Sequence, residues 1–159
     1  MTITKIGFPV VTAAFLWTAA AIAADQTFTA SLDGASEVPK VNSKATADAT
    51  FTVSPDGNKI EYTLMVRDLT DPTMAHIHVG MPGKNGPVVA ALYPTANAKP
   101  AKGQENGQLV QGEITAANLV GPDKGKPLSV LVKAIQDGDA YVNIHTQEHK
   151  SGEIRGQLK

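Results

Sequence analysis

All four histidines of the 159-residue chain fall in two short stretches: His76 and His78 in Ala75-His76-Ile77-His78-Val79-Gly80, and His145 and His149 in Asn143-Ile144-His145-Thr146-Gln147-Glu148-His149. In an extended strand, residues i and i+2 face the same side with Cα atoms roughly 6.5 Å apart, so two imidazoles can converge on a metal with nitrogen bonds of about 2 Å. On a helix the same spacing would splay them. Ile77 and Val79 take the core phase of the first stretch, which turns His76 and His78 outward. His145 is likewise opposite the apolar Val142 and Ile144, so a three-imidazole site could form if these two strands are neighbours. The predicted metal ligands are therefore His76, His78 and His145, with His149, Glu153 and Arg155 as accessory residues. Metal must compete with protons for imidazoles whose ordinary pKa is about 6.5, so affinity is expected to fall below that pH. The competing reading keeps the histidines as polar residues on a solvent face, because a bare His-x-His is a weak motif.

A second pattern overlaps the first. His145-Thr146-Gln147-Glu148-His149 matches H-x-x-E-H, an inverted zinc-peptidase signature that requires a helix to bring i and i+4 together. Tyr141 to Ile144 reads as strand and Lys150-Ser151-Gly152 as turn, so that context is missing. Gly80 to Pro87 is glycine-rich but has neither phosphate-loop spacing nor a following helix. Arg155 is expected in a surface ion pair with Glu153 or Glu148.

Composition narrows the chemistry further. The chain contains no cysteine, which removes thiol catalysis, disulfides, iron–sulfur clusters and thiolate zinc sites. Imidazole sites of this kind favour copper over zinc on the affinity order. Lys and Arg number 14 against 15 Asp and Glu, so there is no basic field for nucleic acid or anionic lipid. At the start of the chain, Lys5, the apolar run Ile6 to Ala20 and Ala21-Ile22-Ala23 have the order of a secretory leader cleaved before Ala24. Residues 1–23 are thus expected to be a signal peptide and 24–159 one periplasmic or extracellular domain with no stable membrane anchor.

The elements that must position the histidines are mostly strands. Alternation places Phe28, Ala30 and Leu32 on one face, then Ala45 to Val53 on alternate residues, then Ile60, Tyr62, Leu64 and Val66, with Pro55-Asp56-Gly57 turning a hairpin between the last two runs. Met74–Val79, Val88–Tyr93, Gln108–Thr115, Tyr141–Thr146 and Glu153–Leu158 are further strand candidates. Pro94 to Gly107 reads as a long surface loop. The period changes once: Leu128, Leu131, Val132 and Ile135 follow Pro127 at helical spacing and Gly138 follows them, which predicts one short helix over Pro127–Asp137.

These motifs, in this order, resemble the CHRD domain family, named for its repeats in chordin. Phe28 to Gly34, Glu37-Val38-Pro39, Ala75 to Gly80, Gly83 to Val88, Tyr141 to Thr146 and Gly152 to Gly156 carry the resemblance. It implies an all-β, antiparallel Greek-key or immunoglobulin-like sandwich. The His-Ile-His strand, a later strand histidine and an arginine near the C-terminus are also similar to the copper site of copper/zinc superoxide dismutases. On that likeness His76, His78 and His145 would hold copper and Arg155 would guide an anion. Disulfide, zinc ligands and bridging histidine are all missing. Three functions stay open: a non-catalytic copper-binding protein, a superoxide-dismutase-like enzyme, and a metal-free module that binds an extracellular protein.

Overall fold

In the computed structural model, which describes residues 25–96 and 99–159, alternation of buried and exposed residues persists through the first three strands. The proposed leader, residues 1–23, lies outside the described residues. Strand β1 (Gln26–Asp33) buries Ala30 and Leu32, β2 (Thr46–Val53) buries Ala47, Ala49, Phe51 and Val53, and β3 (Ile60–Thr70) buries Ile60, Tyr62, Leu64 and Val66. Small alanines on β1 and β2 leave room for Phe51 and Tyr62, whose rings stack across the β2–β3 ladder at 5.9 Å. The β2–β3 turn forms at Pro55-Asp56-Gly57, with Gly57 at φ +70°, a backbone conformation that glycine adopts without strain.

Five strands follow: β4 (Pro72–Val79), β5 (Val88–Tyr93), β6 (Gln104–Ile114), β7 (Ala140–Thr146) and β8 (Ile154–Gln157). They join the first three in one antiparallel sheet of order β5-β4-β7-β8-β1-β2-β3-β6. The chain leaves β3, makes the β4–β5 hairpin at the far end of the sheet, and returns as β6 beside β3. The sheet curls until its edge strands β5 and β6 approach, giving a nearly closed Greek-key sandwich. Tyr62 spans the interior, its hydroxyl donating to the Leu92 carbonyl at 2.8 Å. The segment after β6 seals the seam, with Leu119 bridged to Ala90 and the Val120 N–H on the Val89 carbonyl.

The helix α1 (Ser129–Gln136) is shorter than its apolar pattern, because Leu128 acts as its N-cap. Leu131 and Ile135, one turn apart, are its buried residues, and Gly138 at φ +76° follows its end. Strand β6 begins at Gln104, earlier than alternation predicts. Thr70 and Leu69 of β3 pair with Gln104 and Glu105, so backbone ladder bonds rather than an apolar face extend this strand, and the preceding loop closes at Gly103.

The largest departure concerns the outer face around β7. Every residue of β7 is buried, including the outward-facing Tyr141, Asn143 and His145, and so is Arg155 on β8. Three loops cover this face. Residues 34–44 fold back through a Val41 N–H to Gly34 carbonyl bond of 2.9 Å. Residues 80–87 are tied to that segment by the Asn85 amide, which donates to the Val38 carbonyl at 2.9 Å. Residues 147–152 turn over the end of β7, held by Thr146 and His149.

Candidate metal centre

Strand β4 alternates cleanly: Ala75 and Ile77 are fully buried in the core, while Met74, His76 and His78 point outward. The β4–β7 ladder sets Met74 opposite His145, His76 opposite Asn143, and His78 opposite Tyr141. Residues directly opposite share a face, so the register brings the His76–His78 pair and His145 together. One ring nitrogen from each of the three lies within 4.8 Å of the other two. His76 Nδ1 and His145 Nε2 are 3.3 Å apart.

The outer hydrogen bonds decide which nitrogens face the cluster. His78 Nδ1 lies 2.9 Å from the Gly86 carbonyl, and His145 Nδ1 lies 3.0 Å from the Lys150 carbonyl. A carbonyl only accepts, so both Nδ1 atoms donate, and the lone pairs of both rings sit on Nε2. Ligating histidines are oriented by this kind of contact. His145 Nε2 then accepts the proton of His76 Nδ1. His78 Nε2 has no partner at all: among the described residues it is the buried side-chain nitrogen or oxygen left without a hydrogen bond. Such an orphan costs about 1–3 kcal/mol unless something coordinates it. The donor set therefore fits a nitrogen-preferring ion.

The site's support is as specific as its donors. The His78 ring stacks on Tyr141 at 4.8 Å and 10°. Tyr141 Oη accepts the Gly86 N–H at 3.1 Å, so the glycine whose carbonyl orients His78 is itself held by the ring beneath it. A Cβ at Gly86 would collide with the Val79 carbonyl, which explains the glycine.

Arg155 lies with its guanidinium carbon 3.4 Å from the Tyr141 ring centroid and is 2% exposed. It donates to Asn85 Oδ1 at 3.1 Å and to the Lys84 carbonyl at 2.7 Å. The expected surface ion pair with Glu153 or Glu148 does not form. Glu153 instead accepts from the Ser43 and Thr146 hydroxyls, each at 2.6 Å. The reason is the loop cover: strand phase placed Arg155 outward, and the 80–87 loop then enclosed it.

Two residues that sequence reasoning passed over complete the support. Asn143, between His145 and Tyr141 on the outer face of β7, donates to Glu37 Oε1. Glu37 is buried, and burial pushes its carboxyl up to about 7 against the opposing pull of the Val38 N–H, Arg155 and Asn143. Gly152 has no side chain because a Cβ there would strike both the Asn143 amide and the Glu37 carboxylate. The same-face spacing of Tyr141, Asn143 and His145 was the available signal.

His149 lies in the turn after β7, its Nε2 4.0 Å from Glu148 Oε1, and it is not part of the three-nitrogen cluster. His145 to His149 run from strand into turn, so the helix that an inverted zinc-peptidase motif needs is absent there. Burial lowers the pKa of all three clustered histidines, that of His76 to about 4, where repulsion from charged His145 and His78 adds to the effect. They are neutral at physiological pH, as ligands must be.

Fold and cluster together define a Greek-key β domain with a loop-covered imidazole triad on one outer face. The family model of the CHRD domain matches residues 28–158, and the chain belongs to that family. Domains of this family are typically extracellular. Neither the curated proteins nor the solved structures compared with the chain gave a match. No helix among the described residues is long and apolar enough to cross a membrane.

Proposed function

We propose that this protein is a secreted CHRD domain, periplasmic or extracellular, that binds copper through His76 Nδ1, His78 Nε2 and His145 Nε2. The observation that carries this reading is the buried, unpartnered His78 Nε2 beside ring nitrogens of His76 and His145, with the Gly86 and Lys150 carbonyls already setting the direction of the His78 and His145 rings. Binding requires the His76 proton to move from Nδ1, where it faces His145 Nε2, to Nε2, a change of tautomer that frees both lone pairs for the ion and leaves the three rings neutral. Copper is favoured over zinc because imidazoles supply the whole of the clustered donor set and the affinity order places Cu(II) above Zn(II).

Holding or delivering the ion fits better than turnover. A superoxide-dismutase-like reading needs Arg155 to present its guanidinium to an incoming anion, and Arg155 is instead stacked, engaged by the 80–87 loop and 2% exposed. Metal analysis and copper titration of the mature protein test the reading. One copper per chain is expected, with His78→Ala weakening it at least tenfold and His149→Ala leaving it nearly unchanged. Unchanged affinity in His78→Ala would remove the three-histidine site, and rapid superoxide turnover lost in Arg155→Ala would reinstate the enzyme.

A further inference from the structure

The outward row of β4 does not end at the histidines. Met74 precedes His76 by two residues on the same face and sits directly opposite His145 in the β4–β7 ladder. It is thus a nearest neighbour of two of the three clustered imidazoles, one along the strand and one across it. Directly opposed residues hold their Cβ atoms roughly 4.5–5.5 Å apart, and a methionine side chain has three rotatable bonds with which to move its sulfur from there. Met74 is 41% exposed, so packing does not fix those bonds.

The other outward neighbours of the cluster on β7 are already engaged. The Asn143 amide serves Glu37, and the Tyr141 hydroxyl receives the Gly86 N–H. Of the outward neighbours on β4 and β7, Met74 is the one left with an unengaged donor atom, and that atom is a thioether. Soft thioether sulfur selects Cu(I), whereas Cu(II) and Zn(II) are well served by imidazole.

Building on the copper reading above, we propose that Met74 is a fourth ligand specific to the cuprous ion. Cu(I) is held by the histidine nitrogens and the Met74 sulfur, and Cu(II) by the nitrogens alone. The site thereby favours the reduced ion, which suits a carrier of Cu(I).

Met74→Leu tests this, since leucine keeps an apolar side chain at an exposed position and removes only the sulfur. Affinity for Cu(I) is measured anaerobically against a cuprous chelator, affinity for Cu(II) against a cupric chelator, and X-ray absorption reads the ligand atoms of each form. The expected result is a sulfur scatterer in the Cu(I) protein that Met74→Leu loses, with Cu(I) affinity about tenfold weaker and Cu(II) affinity within about twofold of wild type. A nitrogen-only Cu(I) spectrum in wild type, or equal effects on both ions, overturns the role of Met74 while leaving the histidine site intact. Failure of wild type to bind either ion overturns both.

Discussion

Gly86 is coupled to His78 twice, directly through its carbonyl on His78 Nδ1 at 2.9 Å and indirectly through its N–H on Tyr141, the ring on which His78 stacks. Replacing it with alanine drives a Cβ into the Val79 carbonyl, so the 80–87 loop must lift. That removes the acceptor that fixes the His78 tautomer and loosens the Lys84 and Asn85 contacts to Arg155. Gly86→Ala is expected to weaken metal binding about 10–100-fold, the usual effect of losing an outer partner of a ligand. The checks are a copper competition assay and the histidine ring-nitrogen shifts, which should show His78 no longer held as the Nδ1–H form.

The acid limit of binding lies lower than free histidine implies. An ordinary imidazole near pKa 6.5 predicts loss of metal below that pH, but burial holds His76 at about 4 and depresses His78 and His145 as well. Protons therefore compete less effectively for the folded site, and affinity measured from pH 7.5 to 4.5 should begin to fall well below 6.5. A decline centred on 6.5 would mean that the triad is solvated. The same shift acts on the metal-free fold. Unfolded histidine binds protons that folded His76 refuses between pH 6.5 and 4, so the apoprotein loses stability as pH falls through that window.

Arg155 is predicted to behave as a buried strut. A surface ion pair would contribute little and would fade with salt, whereas this guanidinium is enclosed between Tyr141, the Lys84 carbonyl and Asn85. Arg155→Lys keeps the charge but loses the planar stack and the two-directional donation. Denaturation should show a loss of about 2–4 kcal/mol, nearly independent of salt between low and high ionic strength. A change below about 0.5 kcal/mol would return Arg155 to the surface role that its strand phase suggested.

Much of this fold was legible in alternation alone. The buried sets of β1, β2 and β3, the hairpin at Pro55-Asp56-Gly57, and the switch to helical spacing before Gly138 all follow from periodicity. The histidine pair could be read from β4 in the same way, because i and i+2 share a face in any strand. What periodicity does not carry is which strands become neighbours. His76 and His145 meet through a ladder between segments 69 residues apart, and that pairing is a property of the whole sheet. Nor does alternation say whether an outward face is wet. Asn143 and Arg155 have the outward phase and are 3% and 2% exposed, because loops distant in sequence cover them. Glu37 was invisible as a site residue for the same reason: it reaches Asn143 only once residues 34–44 fold back.

That covering loop gives Glu37 a measurable signature. Its carboxyl titrates near 7 in the folded protein, against an ordinary value of 4.5, chiefly because burial disfavours the charged form. The folded state thus holds this proton more tightly than the unfolded chain does between pH 4.5 and 7. The stabilisation is complete below 4.5 and is lost as pH rises through 7, opposite in sign to the effect of His76. Glu37→Gln keeps an oxygen to accept from Asn143 and cannot ionise, so it should be more stable than wild type at pH 8, by on the order of 2 kcal/mol. At pH 4 the two proteins should be nearly alike. Thermal unfolding of both at pH 4, 6 and 8 checks this, and a difference that stays constant with pH would show that Glu37 titrates alike in the folded and unfolded protein. Because Asn143 stands directly opposite His76, copper affinity in Glu37→Gln should stay within a few-fold of wild type if the Asn143 contact, rather than the Glu37 charge, is what steadies the site.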